Sequence, residues 1–449
     1  MPPATAALLG VLDILRPAFS APSFDNLVVL FAGWVLTGGR HAITEALVAS
    51  QVSGRRHHAA FHSFFARAAW SVDELGLRFA EKLAAMFDGP LFVAIDDTLA
   101  SKKGPEVFGI GCHVDAVRST RKHKIFSFGH VWVTLAILIP VPFSQRRWAL
   151  PVLFRLYRTA KDCEKAGDAR LKKTELAKQL LGTLLARLGD RPVCLAMDNA
   201  YCCGLLLKEM PENLTVYGAM RPDAALFAPA KPQLPHKPRR GRPASRGQRL
   251  PSLDSLAKDP HSPWKATTAF LYGAKHRVTF KSLTALWPTV CGNRLLRIVL
   301  IRSVKGTIPY RVVFSTCSRD SASAVISGYG HRWNIEVAFR ELKQELGFAD
   351  SSARTPAAVL RTAPFVGLVY TALVLWFLDK RSGKAVLPIR PWYRQKDSVS
   401  FADILRTAQH ALRPLDILAI SSAAPDLEKI RQPQPRHARR PSKPLRPAA

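Results

Sequence analysis

Residues 91–97 read Leu-Phe-Val-Ala-Ile-Asp-Asp, five apolar residues closed by two acids. A short apolar run of that length is how a strand buried on both faces looks, and the acids mark where it meets solvent or a site. A carboxylate at the mouth of such a strand is costly unless it is paired or bound to a cation. The pattern recurs at 193–198 as Val-Cys-Leu-Ala-Met-Asp. Between the two runs, 125–139 is strand-like, and Leu176, Leu180, Leu181, Leu184 and Leu188 share a helical spacing over 171–188; 215–220 reads as a further strand. The order strand, strand, strand, helix, strand, helix, strand predicts an α/β sheet covered by helices. Two acid-tipped strands lying side by side would aim Asp96 or Asp97 and Asp198 at one point. Hard oxygen ligands in a basic protein favour Mg²⁺ between them.

The rest of the chain frames that sheet. Residues 1–88 read as a helical bundle, with helical spacing through 42–49, 57–70 and 72–86 and a capping pair, Ser71 with Glu74, opening the last helix. Arg40, Arg55, Arg56, His57 and His58 suit this bundle for DNA. Segment 228–262 is a basic, Pro-rich loop without periodicity. Strand-like runs follow at 277–280, 294–302 and 310–314, the last two forming a hairpin that turns at Lys305-Gly306. A helix is expected over about 321–346 and an apolar helical region over 356–380.

Composition narrows the function. The 449 residues carry 65 Lys and Arg against 33 Asp and Glu, a net charge of +32. Segments 231–250 and 429–449 hold seven basic residues each and no acid, so the remaining body keeps 51 against 33, still +18. Such uncompensated charge meets a polyanion, above all nucleic acid. Seven cysteines, none spaced as CxxC, exclude a disulfide scaffold, and the adjacent pairs His57-His58 and Cys202-Cys203 are not zinc spacings. The N-terminus lacks a basic leader, and the apolar stretches 131–143 and 362–378 are short and broken by proline, so a soluble, cytoplasmic protein is expected.

A third acid must come from the 321–346 helix, which offers Glu336, Glu341 and Glu345. At about 100° per residue, Tyr329, Arg332, Arg340 and Lys343 all fall within about 40° of Glu336, while Glu341 and Glu345 lie on the far side. One face thus gathers an acid, cations and a phenol. Glu336 would complete a metal site, and the cations would hold phosphates beside it.

Those residues carry a resemblance. Tyr329, Arg332, Glu336 and Lys343, set in YGHRWNIEVAFRELKQELGF (329–348), resemble the Tyr-Arg-Glu-Lys signature of bacterial insertion-sequence transposases of the DDE class. AIDDTLASKKG (94–104) resembles the block holding that family's first Asp, and VCLAMDNAY (193–201) the second. The resemblance covers about 90–350. It implies an α/β, RNase H-like catalytic core with a β-rich insertion, preceded by an N-terminal helical domain and followed by helices and a disordered basic tail. The corresponding boundaries are 1–88 for the helical, DNA-binding domain and 89–227 for the first part of the core. The insertion takes 228–315, the Glu-bearing helix of the core 316–350, the C-terminal helical region 351–428 and the tail 429–449.

The implied activity is cutting the ends of an insertion sequence and joining them to target DNA by two-metal phosphoryl transfer. Asp96, Asp198 and Glu336 would be both catalytic residues and ligands of two Mg²⁺ ions, with Mn²⁺ able to substitute. The Asp-x-Thr spacing selects Asp96; relatives with the ligand directly before Thr would select Asp97. Tyr329, Arg332, Arg340, Lys343, the run containing Arg121, Lys122 and Lys124, and Arg239, Arg240 and Arg242 are the expected DNA contacts. The last three sit in Arg-Arg-Gly-Arg-Pro (239–243), which reads either as an AT-hook core or as a basic linker. Trp264 or Trp287 could stack on an unpaired base or belong to the core. The expected partner is double-stranded DNA, bound by a homodimer on the bacterial nucleoid, with no membrane. An RNase H-like nuclease without transposition, or a non-catalytic DNA-binding descendant, are the alternatives.

Overall fold

Leu91–Ser101 forms β1, and its inner residues Val93, Ala94 and Ile95 are fully buried. In this computed structural model residues 2–104, 106–120, 122–230, 244–304, 310–379, 385–388, 392 and 398–421 are described. After β1 come β2 (Gly111–Val114), β3 (Phe126–Val141) and β4 (Ser144–Tyr157). Next are β5 (Val193–Met197), β6 (Leu214–Met220), β7 (Lys265–Leu271), β8 (Ala274–Leu286), β9 (Leu295–Ser303) and β10 (Arg311–Ser315). All ten lie in one sheet, in the order β2-β3-β1-β5-β6-β10-β9-β8-β7, with β4 on β3.

Two halves of that sheet differ in kind. β3 runs antiparallel to both β1 and β4, whereas β5 pairs parallel with β1 and β6 parallel with β5. The order β4-β3-β1-β5-β6 with those directions is an RNase H-like core. The parallel strands are joined through helices, chiefly Lys173–Leu188, as parallel pairing requires. Beyond β6, the antiparallel strands β10, β9, β8 and β7 extend the same sheet as the β-rich insertion.

β4 is the strand least visible in the sequence. Arg146, Arg147 and Pro151 break its apolar run, and a proline normally argues against a central strand. The structure accommodates Pro151 at an irregularity. Leu135 pairs with Leu153, but the next residue, Ala136, pairs with Pro151, so Val152 is bulged out of the ladder.

The helices at the two ends of the chain pack on one another. Pro3–Asp13, Ala21–Leu36, Ile43–Ala49, Ala59–Ala66 and Val72–Ala85 come first; Ser71 caps the last by accepting from Glu74 N. Trp376 Nε1 donates to Ala4 O at 2.9 Å, Gln409 Nε2 to Val35 O at 2.9 Å and Trp34 Nε1 to Leu346 O at 3.0 Å. The N-terminal helices therefore share a core with Pro356–Leu378 and Phe401–Leu412. Pro356–Leu378 is long and apolar enough to cross a membrane, yet every residue from Thr362 to Trp376 is buried inside the protein.

The expected single helix over 321–346 is two helices, Ala322–Gly330 and Trp333–Glu345. Between them Arg332 N bonds to Tyr329 O and Ile335 N to Arg332 O, i to i+3 contacts that tighten the turn. The first helix is pinned to the insertion. Phe270 N donates to Ser327 Oγ at 2.9 Å, and a Cβ on Gly330 would stand 2.6 Å from Phe270 O. Glycine lets β7 approach that closely.

Candidate active site

The parallel register of β1 and β5 ends at Ile95 opposite Met197. The next residues are Asp96, within β1, and Asp198, just past the end of β5, so their backbones stand about 5 Å apart, one interstrand spacing. Glu336 sits in the first turn of Trp333–Glu345, which packs on β1 and β4. Arg332, at the turn between the two helices, joins the set. Its Nη1 donates to Asp96 Oδ2 at 2.8 Å and its Nη2 lies 2.6 Å from Glu336 Oε1. The Tyr329 hydroxyl stands 3.5 Å from Asp198 Oδ1. Two carboxylates thus bind one guanidinium, and Asp198 stands near enough to add to its electrostatic pull.

Asp97 points elsewhere. Successive strand residues alternate faces, and the Asp97 carboxylate meets Lys173 Nζ at 2.6 Å and accepts from Tyr201 OH at 2.8 Å. Of the two adjacent aspartates, Asp96 is the one that shares a cation with Glu336.

The electrostatics follow from burial and crowding. Asp96 is largely buried, and burial pushes its carboxyl up to about 7 despite the opposing pull of Arg332, with Asp97 and Glu336 adding to the rise. Burial alone would lower the Arg332 pKa, but Asp96, Tyr329 and Glu336 outweigh it and raise it. Burial, then Asp97, raises the Tyr201 hydroxyl, so it stays a donor.

Among the described residues no group of three or more His, Cys, Asp or Glu side chains is closed tightly enough to hold a metal ion as it stands. The donor chemistry nonetheless fits a hard divalent cation. Asp96, Asp198 and Glu336 offer only carboxylate oxygens, and positive charge is already drawn between two of them.

The other expected residues lie further out. Lys343 is half-buried and feels Asp115; among the described residues it makes no hydrogen bond or ion pair with the three acids. Arg340, Lys122 and Lys124 are exposed. Arg121, Arg239, Arg240, Arg242, the turn at Lys305-Gly306 and the tail 429–449 lie outside the described residues. Trp287 is buried edge-on to Phe314, and Trp264 is covered by Arg302 at 4.1 Å, so neither offers an open face.

Glu341, on the far side of the helix, is a buried partner. Arg146 Nη2 donates to it at 3.2 Å and Tyr370 OH at 2.6 Å. Sequence reasoning also passed over Lys173 and Tyr201. Tyr201 stands three residues past Asp198, where a 3-10 turn over Asn199–Tyr201 swings it back onto β1. Nothing in the periodicity marks it.

An RNase H-like sheet with one aspartate midway along β1, a second just past the end of the neighbouring parallel strand β5 and a glutamate on a later helix defines the class of RNase H-like nucleases and transposases. The sequence matches the model of the DDE superfamily endonucleases over residues 15–285, and that of the archaeal putative transposase ISC1217 over residues 289–379. The chain belongs to the DDE superfamily of endonucleases, as a transposase of the insertion-sequence kind. No curated protein matches the sequence. A cryo-EM structure of the piggyBac transposase synaptic complex with hairpin DNA overlays with a TM-score of 0.41 at 12% identity, covering 91% of this chain and 74% of that one. An overlay at that score describes gross shape only.

Proposed function

We propose that this transposase cuts the ends of its insertion sequence and joins them to target DNA at the Asp96, Asp198 and Glu336 carboxylates, acting as a homodimer on double-stranded DNA in the bacterial cytoplasm. The carrying observation is the single guanidinium of Arg332 held between Asp96 and Glu336, beside Asp198. Two acids gripping a cation, with a third beside it, in a protein of net charge +32 make a place where phosphates and positive charge meet. Two Mg²⁺ ions, when bound by these acids, would lower the pKa of the attacking oxygen and stabilise the leaving one.

The chain's own residues do the rest. β1 and β5 fix the spacing of Asp96 and Asp198, and the tightened turn before Trp333 sets Glu336 opposite them. Arg332 holds Asp96 and Glu336 in place before the cation arrives, and Tyr329 steadies Asp198. Lys173 and Tyr201 tie Asp97 away from the site. Lys122, Lys124 and Arg340, all exposed, would take phosphates of the bound duplex.

The test is cleavage of a labelled element end in Mg²⁺. Asp198→Ala and Glu336→Ala should each abolish nicking while duplex binding persists. A Glu336→Ala variant that still nicks the end would overturn the assignment. Nicking without joining to target DNA would leave a solitary nuclease.

A further inference from the structure

β2 and β3 form a hairpin at the edge of the sheet, in which Val114 pairs with Phe126 and Cys112 with Phe128. Paired and alternate residues share a face, so Phe126 and Phe128 stand side by side, and they are 62% and 63% exposed. Two neighbouring exposed phenylalanines on one short hairpin are unusual for a surface with no partner.

The surroundings say what partner fits. Phe128 forms one wall of a cleft of about 650 Å³ that also takes in Lys103, Arg118 and Arg354. Lys122 and Lys124 follow at the hairpin tip, and all five cations are exposed. Four acids lie nearby, fewer than the cations: Asp162 is paired with Arg158, Asp115 and Asp350 accept backbone hydrogen bonds, and Glu106 is exposed. Asp115 accepts from Val117 N at 3.1 Å and Arg118 N at 3.2 Å, and Asp350 accepts from His41 N at 3.0 Å. A second copy of so basic a chain would be repelled from this face. A duplex would satisfy the cations but not the rings, because its base faces are hidden in the stack. Unpaired bases satisfy both, since every base offers a π-face and every nucleotide a phosphate.

We propose that the Phe126–Phe128 face of this hairpin, with the adjoining cleft, binds a single-stranded stretch of DNA by stacking its bases on the two rings. Phe128 lies six residues along β3 from Thr134, the residue opposite Asp96, or about 20 Å. The single strand is therefore held several nucleotides from the three carboxylates, on DNA flanking the cut. The proposal rests on the DNA-processing reading above.

The full-length protein decides it, with a short blunt duplex and the same duplex carrying a single-stranded thymidine tail. Wild type should bind the tailed DNA about ten-fold more tightly and quench a fluorescent base analogue placed in the tail. Phe126→Leu/Phe128→Leu keeps the apolar surface and removes the rings. It should lose the tail preference and the quenching while keeping its melting temperature and its affinity for blunt duplex. A wild type indifferent to the tail, or a leucine variant that keeps the preference, overturns the proposal. So does a leucine variant whose sedimentation shifts to a smaller species, which would make the face an interface between copies. The two readings fail separately: tail binding without nicking sinks the catalytic assignment alone, and nicking without tail preference sinks this proposal alone.

Discussion

The Arg332 guanidinium bridges Asp96 and Glu336, 2.8 Å from an oxygen of the first and 2.6 Å from an oxygen of the second. Arg332 and Asp96 are mostly buried, so the bridge is worth more than an exposed ion pair, and removing its centre leaves two acids crowded without a counter-charge. Arg332→Ala should lose about 3 kcal/mol of stability in Mg²⁺-free buffer and recover part of it when Mg²⁺ is added. Thermal melts with and without Mg²⁺ check this. A melting temperature unmoved by the substitution would mean that Arg332 serves DNA alone.

Burial weighs heavily on Asp96. Its carboxyl rises from an ordinary value near 3.8 to about 7, so the folded state holds a proton that the unfolded chain has released. Stability therefore falls as pH climbs through that window, and the penalty is complete above it. Asp96→Asn should abolish nicking yet melt about 2–4 °C higher than wild type at pH 8. The gap should close at acid pH. A lower melting temperature at both ends would refute the sign.

Asp97→Asn separates the neighbouring aspartates. It removes the negative charge facing Lys173 and leaves an amide against the Tyr201 hydroxyl. The expected cost is about 1–2 kcal/mol in urea unfolding, with Mg²⁺-dependent nicking retained at a reduced rate. Complete loss of nicking in a well-folded Asp97→Asn protein would move the ligand role to Asp97.

Glu341 lies on the helix that carries Glu336 but holds Arg146 and Tyr370 in the interior. Glu341→Ala strands a mostly buried guanidinium, so a loss of about 3 kcal/mol is expected. Below its lowered melting point the variant should still nick the element end, because the side chain faces away from Asp96. Denaturant midpoints paired with nicking rates distinguish it from Glu336→Ala, which should do the reverse.

His130 and His331 are both held down to about 4 by burial, so both are neutral in the fold and charged in the unfolded chain below their ordinary 6.5. Their contribution is whole above pH 6.5 and is lost as pH falls from there toward 4. The urea midpoint should drop over that range. His130→Phe should flatten part of the drop, and an unchanged slope would show that His130 does not contribute to acid unfolding.

Much of the core was legible in the sequence because its signals are local. The apolar runs at 91–95 and 193–197 are strands, since runs so largely buried suit a strand covered on both faces. The acid after the second lies at its strand's end, but the strand expected to stop at Asp96 runs on to Ser101, because its pairing with β3 continues there. Helical spacing singled out Glu336 over Glu341 and Glu345, because side chains 100° apart cannot share a face. Other features depend on residues far apart in the chain, and only the folded structure decided them. Pro151 sits in a sheet strand because β3 tolerates a bulge opposite it. The helix before Glu336 breaks at residues 331–332, where its first half is pinned to β7 and its second to β1 and β4. Asp96 and Asp97 are neighbours of the same type; the Asp-x-Thr spacing points to Asp96, but the position directly before Thr98 would equally suit Asp97. The ranking comes from what lies on each side of β1: Arg332 from 236 residues away on one face, and Lys173 and Tyr201 on the other. A sequence states which residues carry charge and how they repeat. Which charge answers which is settled by packing, because a buried carboxylate is stable only where a distant segment brings its partner.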